Sequence, residues 1–201
     1  MKGHPAIGGV VLAAGASRRL GRPKQLAEFG GETLVRLSVR TVSRSQCIAV
    51  AVVVGAHAEA TTAAVADLNP IVLSNQDWTE GIASSIRAAT SWADCCGYAG
   101  LLVAVCDQPF LTTEHLDALL AAFRAEGRPV GSAYAGLIGV PAVFGRREFP
   151  ELMQLRGDRG ASALLRDGAG AIAWPAGAAD IDTEEALESA SGIAASGNAR
   201  R

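Results

Sequence analysis

The sequence predicts an α/β protein in three layers, with helices on both faces of a mostly parallel, doubly wound sheet. Three observations predict it. The runs Ile48 to Val54 and Gly100 to Cys106 are apolar throughout, without the alternation of a strand that has one wet face. Strands buried on both faces of a parallel sheet read this way. Segments with helical spacing lie between the strand candidates, the order that builds a parallel sheet. Finally, 49% of the 201 residues are apolar but only 5% aromatic, with 23 glycines. That is ample for one large core, and small residues suit close helix-on-sheet packing.

In chain order, Ile7 to Leu12 is a buried strand that breaks at Ala13-Ala14-Gly15. Thr33 to Ser43 is helical, with Leu34, Leu37 and Val42 on one side. The strand Ile48 to Val54 stops at Gly55. Ala-rich Ala58 to Leu68 is helical and Asn69-Pro70 closes it. A short strand, Ile71 to Leu73, precedes a helix from Glu80 to Trp92. After the strand Gly100 to Cys106, Thr112 or Thr113 can cap a helix over Glu114 to Ala125, where Leu116, Leu119, Leu120 and Phe123 recur at helical spacing. Val140 to Phe144 reads as a strand and Glu148 to Leu155 as a helix. Gly157 to Gly160 interrupts before Ala161 to Leu165 resumes a helical pattern. A late strand includes Ile172 to Trp174. Thr183 to Ser189 fits a helix whose N-terminus Glu184 and Glu185 favour, since carboxylates offset the positive end of the helix dipole. Residues 1–190 are expected to form one domain, and the Gly/Ala/Ser/Asn-rich tail 191–201 to be disordered.

A net charge of −2 provides no global field for nucleic acid or an anionic membrane, so neither is an expected partner. Any phosphate site must be a local arrangement. The four cysteines, Cys47, Cys95, Cys96 and Cys106, form no CxxC pair and read as the reduced thiols of a cytoplasmic protein. The apolar run Ile7 to Ala14 is too short for a signal peptide. No stretch reaches the roughly 18 apolar residues of a membrane helix. His4, His57 and His115 lack ligand spacing, so no zinc site is expected. Trp92, Trp174 and Met153 read as packing residues.

In doubly wound sheets ligands bind at the carboxyl ends of strands. Here the first strand runs into LAAGASRRLGRPKQ. Small residues at Ala13, Ala14, Gly15 and Ala16 let backbone amides approach an anion. Arg18, Arg19, Arg22 and Lys24 add the charge that amides alone lack. The competing reading is a tight turn beside a solvated basic cluster. Neither GxxxxGK[ST] nor GxGxxG is present, which excludes a P-loop and a dinucleotide fingerprint.

LAAGASRRLGRPKQL resembles the signature L-A-[AG]-G-x-S-x-R-[ML]-G-x-x-K of the molybdenum-cofactor nucleotidyltransferases. The resemblance implies a Rossmann-like nucleotidyltransferase fold. It also implies that Leu12, Ala13, Ala14 and Gly15 border base and phosphates, that Arg18 grips phosphate, and that Lys24 stabilises charge on the α-phosphate. Ala14 stands where the guanylyltransferase branch usually has Gly, which leans towards CTP.

Asp107, after an apolar strand, can hold Mg²⁺, which takes few protein carboxylates and completes its shell with phosphate and water. It can equally cap the following turn; the family's similar Asp-Gln-Pro step implies the metal role. Gly139-Val140-Pro141 and Leu155 to Ala161 resemble segments bordering the acceptor side, which nominates Pro141, Asp158 and Arg159 there. Asp158 is a second metal ligand, an acceptor contact or a plain turn residue. Ser162 replaces an Arg that many relatives carry, so Arg159 is a substitute cation or the acceptor differs. Asn75, Trp78, Gly81 and Ser85 match a further family segment. There Gly81 and Ser85, at a helix N-terminus, can meet the nucleotide or simply cap the helix. The run Asp180 to Glu185 resembles the family's closing step and reads as structural. The matches extend from Ile7 to about Leu187.

The expected activity is therefore Mg²⁺-dependent transfer of CMP from CTP to a small phosphorylated acceptor, molybdopterin first, with release of pyrophosphate. Arg18, Lys24 and Asp107 are the expected catalytic residues. Alternatives are a transferase for GTP or another acceptor, such as a sugar phosphate, and a non-catalytic accessory protein. A molybdoenzyme or its chaperone is the protein partner these readings bring in.

Overall fold

The computed structural model describes residues 5–17, 20–165, 168–181 and 183–190. His4, Arg18, Arg19, Asp182 and the tail 191–201 lie outside the described residues. In chain order the elements are β1 (Ile7–Ala13), a small hairpin of β2 (Glu28–Phe29) and β3 (Glu32–Thr33), α1 (Leu34–Ser43), β4 (Ala49–Val54), α2 (Ala58–Val65), β5 (Ile71–Ser74), α3 (Ile82–Cys95), β6 (Gly100–Val105), α4 (Thr113–Glu126), β7 (Val130–Tyr134), β8 (Leu137–Gly145), α5 (Phe149–Leu152) and β9 (Gly170–Ala173). Residues 184–190 add a last helix, α6.

The seven main strands form one sheet in the order β5-β4-β1-β6-β8-β7-β9. β1 pairs in parallel with β4 and β6, β4 with β5, and β7 with β9. β8 runs antiparallel to both neighbours, β6 and β7. The sheet is thus mostly parallel, as expected. Period-two alternation assigns Ile7, Val11, Val52, Leu102 and Ala104 to one face, under α1, α2 and α4. Val10, Leu12, Val53, Leu101 and Val103 face the other way, onto α3 and α5. That is the three-layer architecture, and it explains why β1 is buried along its whole length.

Several boundaries differ from the sequence expectation for local reasons. α3 starts at Ile82 rather than Glu80 because Gly81, at φ 121°, breaks the preceding 3₁₀ turn Trp78–Glu80 from the helix. α2 tightens into a 3₁₀ turn after Val65 and ends at Asn69 in a left-handed conformation. The expected helix Glu148 to Leu155 is only a 3₁₀ turn followed by the four-residue α5, and Ala161–Leu165 is a 3₁₀ helix. β7 and the β2–β3 hairpin carry no apolar run and were not expected. Thr112 is the cap of α4: its hydroxyl accepts the His115 amide at 3.3 Å.

Close packing governs the start of β1. A Cβ on Gly8 would sit 2.7 Å from the Tyr98 ring, and one on Gly9 2.6 Å from Val42 Cγ1 and 2.9 Å from the Cys47 sulfur. Gly9→Ala overpacks the layer beneath α1 and should cost about 1–3 kcal/mol. Chemical denaturation should show it as a lower midpoint with an unchanged slope; an unchanged midpoint would contradict this packing.

Candidate functional site

The register of the two central strands builds the site. Leu12 on β1 pairs with Val105 on β6, so Ala13-Ala14-Gly15 and Cys106-Asp107 emerge side by side from the sheet. Above them lies a cavity of about 420 Å³, lined among others by Leu12, Ala13, Ala14, Gly15, Lys24, Gly81, Ser85, Asp107 and Asp158. Sequence-nominated residues from four separate segments therefore meet in one cleft. Arg18 lies outside the described residues.

Lys24 Nζ donates to Asp107 Oδ2 at 2.5 Å across that cleft. The two side chains are only 21% and 18% exposed. The loop that presents Lys24 is tied to itself. Ser17, at φ 54°, accepts the Lys24 amide on its hydroxyl at 2.8 Å and donates to Gln25 Oε1 at 3.1 Å. The fully buried Gln25 returns a hydrogen bond to the Gly15 carbonyl at 3.2 Å. On the other side, the Ile181 amide holds the Asp107 carbonyl at 2.9 Å. Ile181 packs with Leu187 and Ala190 against Ala27, Phe29 and Leu34, so the closing segment braces Asp107 and the loop together. The second carboxylate oxygen, Asp107 Oδ1, is buried without a hydrogen-bond partner. A buried, unpartnered carboxylate oxygen is a place for a cation or a donor.

The facing wall is the start of α3. Asn75 donates to the hydroxyls of Ser84 at 2.8 Å and Ser85 at 3.0 Å, and Ser84 donates on to the Gly81 carbonyl at 2.8 Å. Glu80 accepts both Arg87 Nη1 and Nη2, at 2.8 and 2.5 Å, and the Gly157 amide at 3.2 Å. The Arg87 guanidinium, then the Gly157 amide, lower the Glu80 carboxyl to about 2. Arg87 also donates to the Leu155 carbonyl at 2.8 Å. These contacts clamp residues 155–157 to α3, and the absent Cβ of Gly81 leaves room for Asp158, whose Oδ1 would lie 2.5 Å from it.

The acceptor-side nominees separate. Pro141 is buried and Arg159 exposed, and neither lines the main cavity. Gly139, Val140, Gly160 and Ser162 instead line a second, smaller cavity of about 160 Å³. Pro141 serves structurally: its carbonyl accepts the Ser132 hydroxyl at 2.7 Å, and Ser132 lies 2.7 Å from His115 Nε2. Because Ser132 donates to Pro141, its oxygen accepts from His115, which puts the imidazole proton on Nε2. Burial lowers His115 to about 4, so this stacked partner of Trp174 is a neutral core residue.

The carboxylates suit a hard cation. Among the described residues no group of three or more His, Cys, Asp and Glu forms a metal cage. Asp107 and Asp158 on one cleft fit an ion such as Mg²⁺ or Mn²⁺, which takes one or two carboxylates and completes its shell with phosphate oxygens and water.

A mostly parallel sheet with a small-residue loop, a lysine and an aspartate at its carboxyl edge is the arrangement of a nucleotidyltransferase. The MobA-like NTP transferase domain matches residues 9–172, and the chain belongs to that family. It is similar to nicotine blue oxidoreductase of Paenarthrobacter nicotinovorans, 37% identical over 81% of this chain and 82% of that protein. It is also similar to the purine catabolism protein PucB of Bacillus subtilis (strain 168), 34% identical over 90% and 94%. Among solved structures, Rv0371c of Mycobacterium tuberculosis in complex with manganese is 26% identical, with a TM-score of 0.78 over 93% of this chain and 98% of that one.

The roles of Gln25, Glu80 and Arg87 were not expected from the sequence, whereas the run Asp180 to Glu185 was read as structural, and Ile181 within it is the buttress of Asp107. Gln25 directly follows Lys24 at the end of the signature, and that adjacency was the available signal. Cys106, beside Asp107, also lines the main cavity. Burial, with the neighbouring Asp107 charge, pushes its thiol up to about 12, so it stays protonated at neutral pH. Since the thiolate is the nucleophile, iodoacetamide at pH 8 should label exposed Cys95 and Cys96 while sparing Cys106, read by peptide mass mapping. Equal labelling of Cys106 in the folded chain would contradict this environment.

Proposed function

We propose that the chain transfers a nucleoside monophosphate, CMP in preference, from its triphosphate to a small phosphorylated acceptor, releasing pyrophosphate. The observation that carries this reading is the Lys24–Asp107 pair at the mouth of a cleft bordered by a small-residue loop, with Asp107 Oδ1 unpartnered. Leu12 to Gly15 and Ser85 are the nucleotide side, Gly81 shapes it, and Arg18 is a further phosphate cation. Asp107, with Asp158, would hold Mg²⁺, which when bound supplies charge neutralisation of the triphosphate; the manganese in Rv0371c supports a divalent ion.

In the proposed reaction an oxygen of the acceptor phosphate attacks the α-phosphorus. The bond to the bridging oxygen breaks and pyrophosphate leaves with the electron pair. The nucleophile is already ionised at neutral pH, so no side chain need remove a proton. Lys24 releases Asp107 and turns to the phosphates, and the cleft walls hold the two reactants in line. Asp158, which lines the main cavity, is the one of the three acceptor-side nominees that this proposal keeps there; buried Pro141 and exposed Arg159 are given no contact with the acceptor. The family resemblance makes molybdopterin the first acceptor to test, with a molybdoenzyme or its chaperone downstream. Four free cysteines suit a reducing, cytoplasmic setting. No helix among the described residues is long and apolar enough to cross a membrane.

The test is pyrophosphate release with each of the four nucleoside triphosphates, Mg²⁺ and molybdopterin. CTP should give the highest turnover. Lys24→Ala should lower it by roughly 10²–10³-fold, and Asp107→Asn should raise the Mg²⁺ concentration needed for half-maximal rate. Wild-type turnover in Lys24→Ala would remove its assigned role.

A further inference from the structure

The two cavities share Leu12, Ile82 and Val105, so they adjoin. Their chemistry is divided. Lys24, Glu80, Asp107 and Asp158, the charged side chains described along this cleft, all line the larger cavity. The lining described for the smaller one carries no charge and is built mainly from Ile82, Ile86, Val103, Leu137 and Val140. Its polar side chains are Tyr134 and Ser162. The Tyr134 hydroxyl is already committed, donating to the Val140 carbonyl at 3.0 Å, and burial raises its titration further above neutrality.

We infer that the smaller cavity receives a neutral, flat aromatic ring of the acceptor, while the acceptor's phosphate lies at the boundary with the larger cavity. This rests on the nucleotidyl-transfer reading for the identity of the larger cavity. The volume, about 160 Å³, matches apolar cavities of about 150 Å³ that hold benzene. The walls offer dispersion contact to a ring face and few partners for a polyol. A sugar body placed there would strip water from several hydroxyls without replacing their hydrogen bonds. An anionic body would be buried with no counter-charge among the described lining residues. Ser162 decides this last point. A cation at that position would line the cavity and favour an anion; serine leaves it neutral.

Indole is the probe for the ring and ribose 5-phosphate the counter-probe, each titrated into the full chain while ¹H–¹⁵N correlation spectra are recorded. Indole should give saturable shifts at the Gly139, Val140, Gly160 and Ser162 amides, and ribose 5-phosphate should leave those amides still. Leu137→Asp and, separately, Ser162→Arg should weaken indole at least tenfold; both positions are exposed at the cavity rim. Saturable shifts of those amides by ribose 5-phosphate, no shift with indole, or full indole affinity in both variants would overturn the inference. Calorimetry with CTP and Mn²⁺ reads the larger cavity on its own. Its failure would count against the transferase reading, and its success with silent indole against the ring subsite alone.

Discussion

The pairing of Lys24 with Asp107 is the constraint around which the site is arranged. Two opposite charges are held across a cleft, both largely out of water, at the carboxyl ends of adjacent parallel strands. Opposite charges 4 Å apart attract by about 4 kcal/mol at an effective dielectric near 20. Removing the Lys24 ammonium takes away the counter-charge that the part-buried Asp107 carboxylate holds in this structure, which is costly. Exchanging partners is different: if Asp107 takes a cation and Lys24 takes phosphate, neither charge is stranded. A pair of this kind holds a ligand-free site together and still yields to a ligand that brings both signs.

The rest of the fold makes that exchange geometrically possible. Gln25 and Ser17 fix the loop so that Lys24 need not be ordered on binding. Ile181 and the α6 cluster hold the Asp107 backbone from behind. Across the cleft, Glu80 and Arg87 fasten the 155–157 loop and so position Asp158. The result separates functions by polarity, with charge gathered above β1 and β6 and apolar surface where β8 borders α3.

Much of this was legible in the sequence because the signals were local and strong. Apolar runs marked β1, β4 and β6, and a nearly complete signature marked the loop from Leu12 to Lys24. What stayed hidden depends on distant partners. β7, with the sequence Val-Gly-Ser-Ala-Tyr, becomes a strand because β8 and β9 flank it, not from its own propensity. The contacts of Arg87 with Leu155 and of Ile181 with Asp107 join residues 68 or more positions apart, and no spacing rule reaches that far. Pro141 was nominated for the acceptor, yet in the structure its neighbours Gly139 and Val140 line the smaller cavity while Pro141 itself is buried.

The most direct test of this account is a crystal structure with a non-hydrolysable CTP analogue and Mn²⁺. Anomalous density for manganese on Asp107, with Lys24 Nζ moved to a phosphate oxygen, is the predicted result. An intact Lys24–Asp107 pair, with nucleotide or metal bound elsewhere, would contradict it.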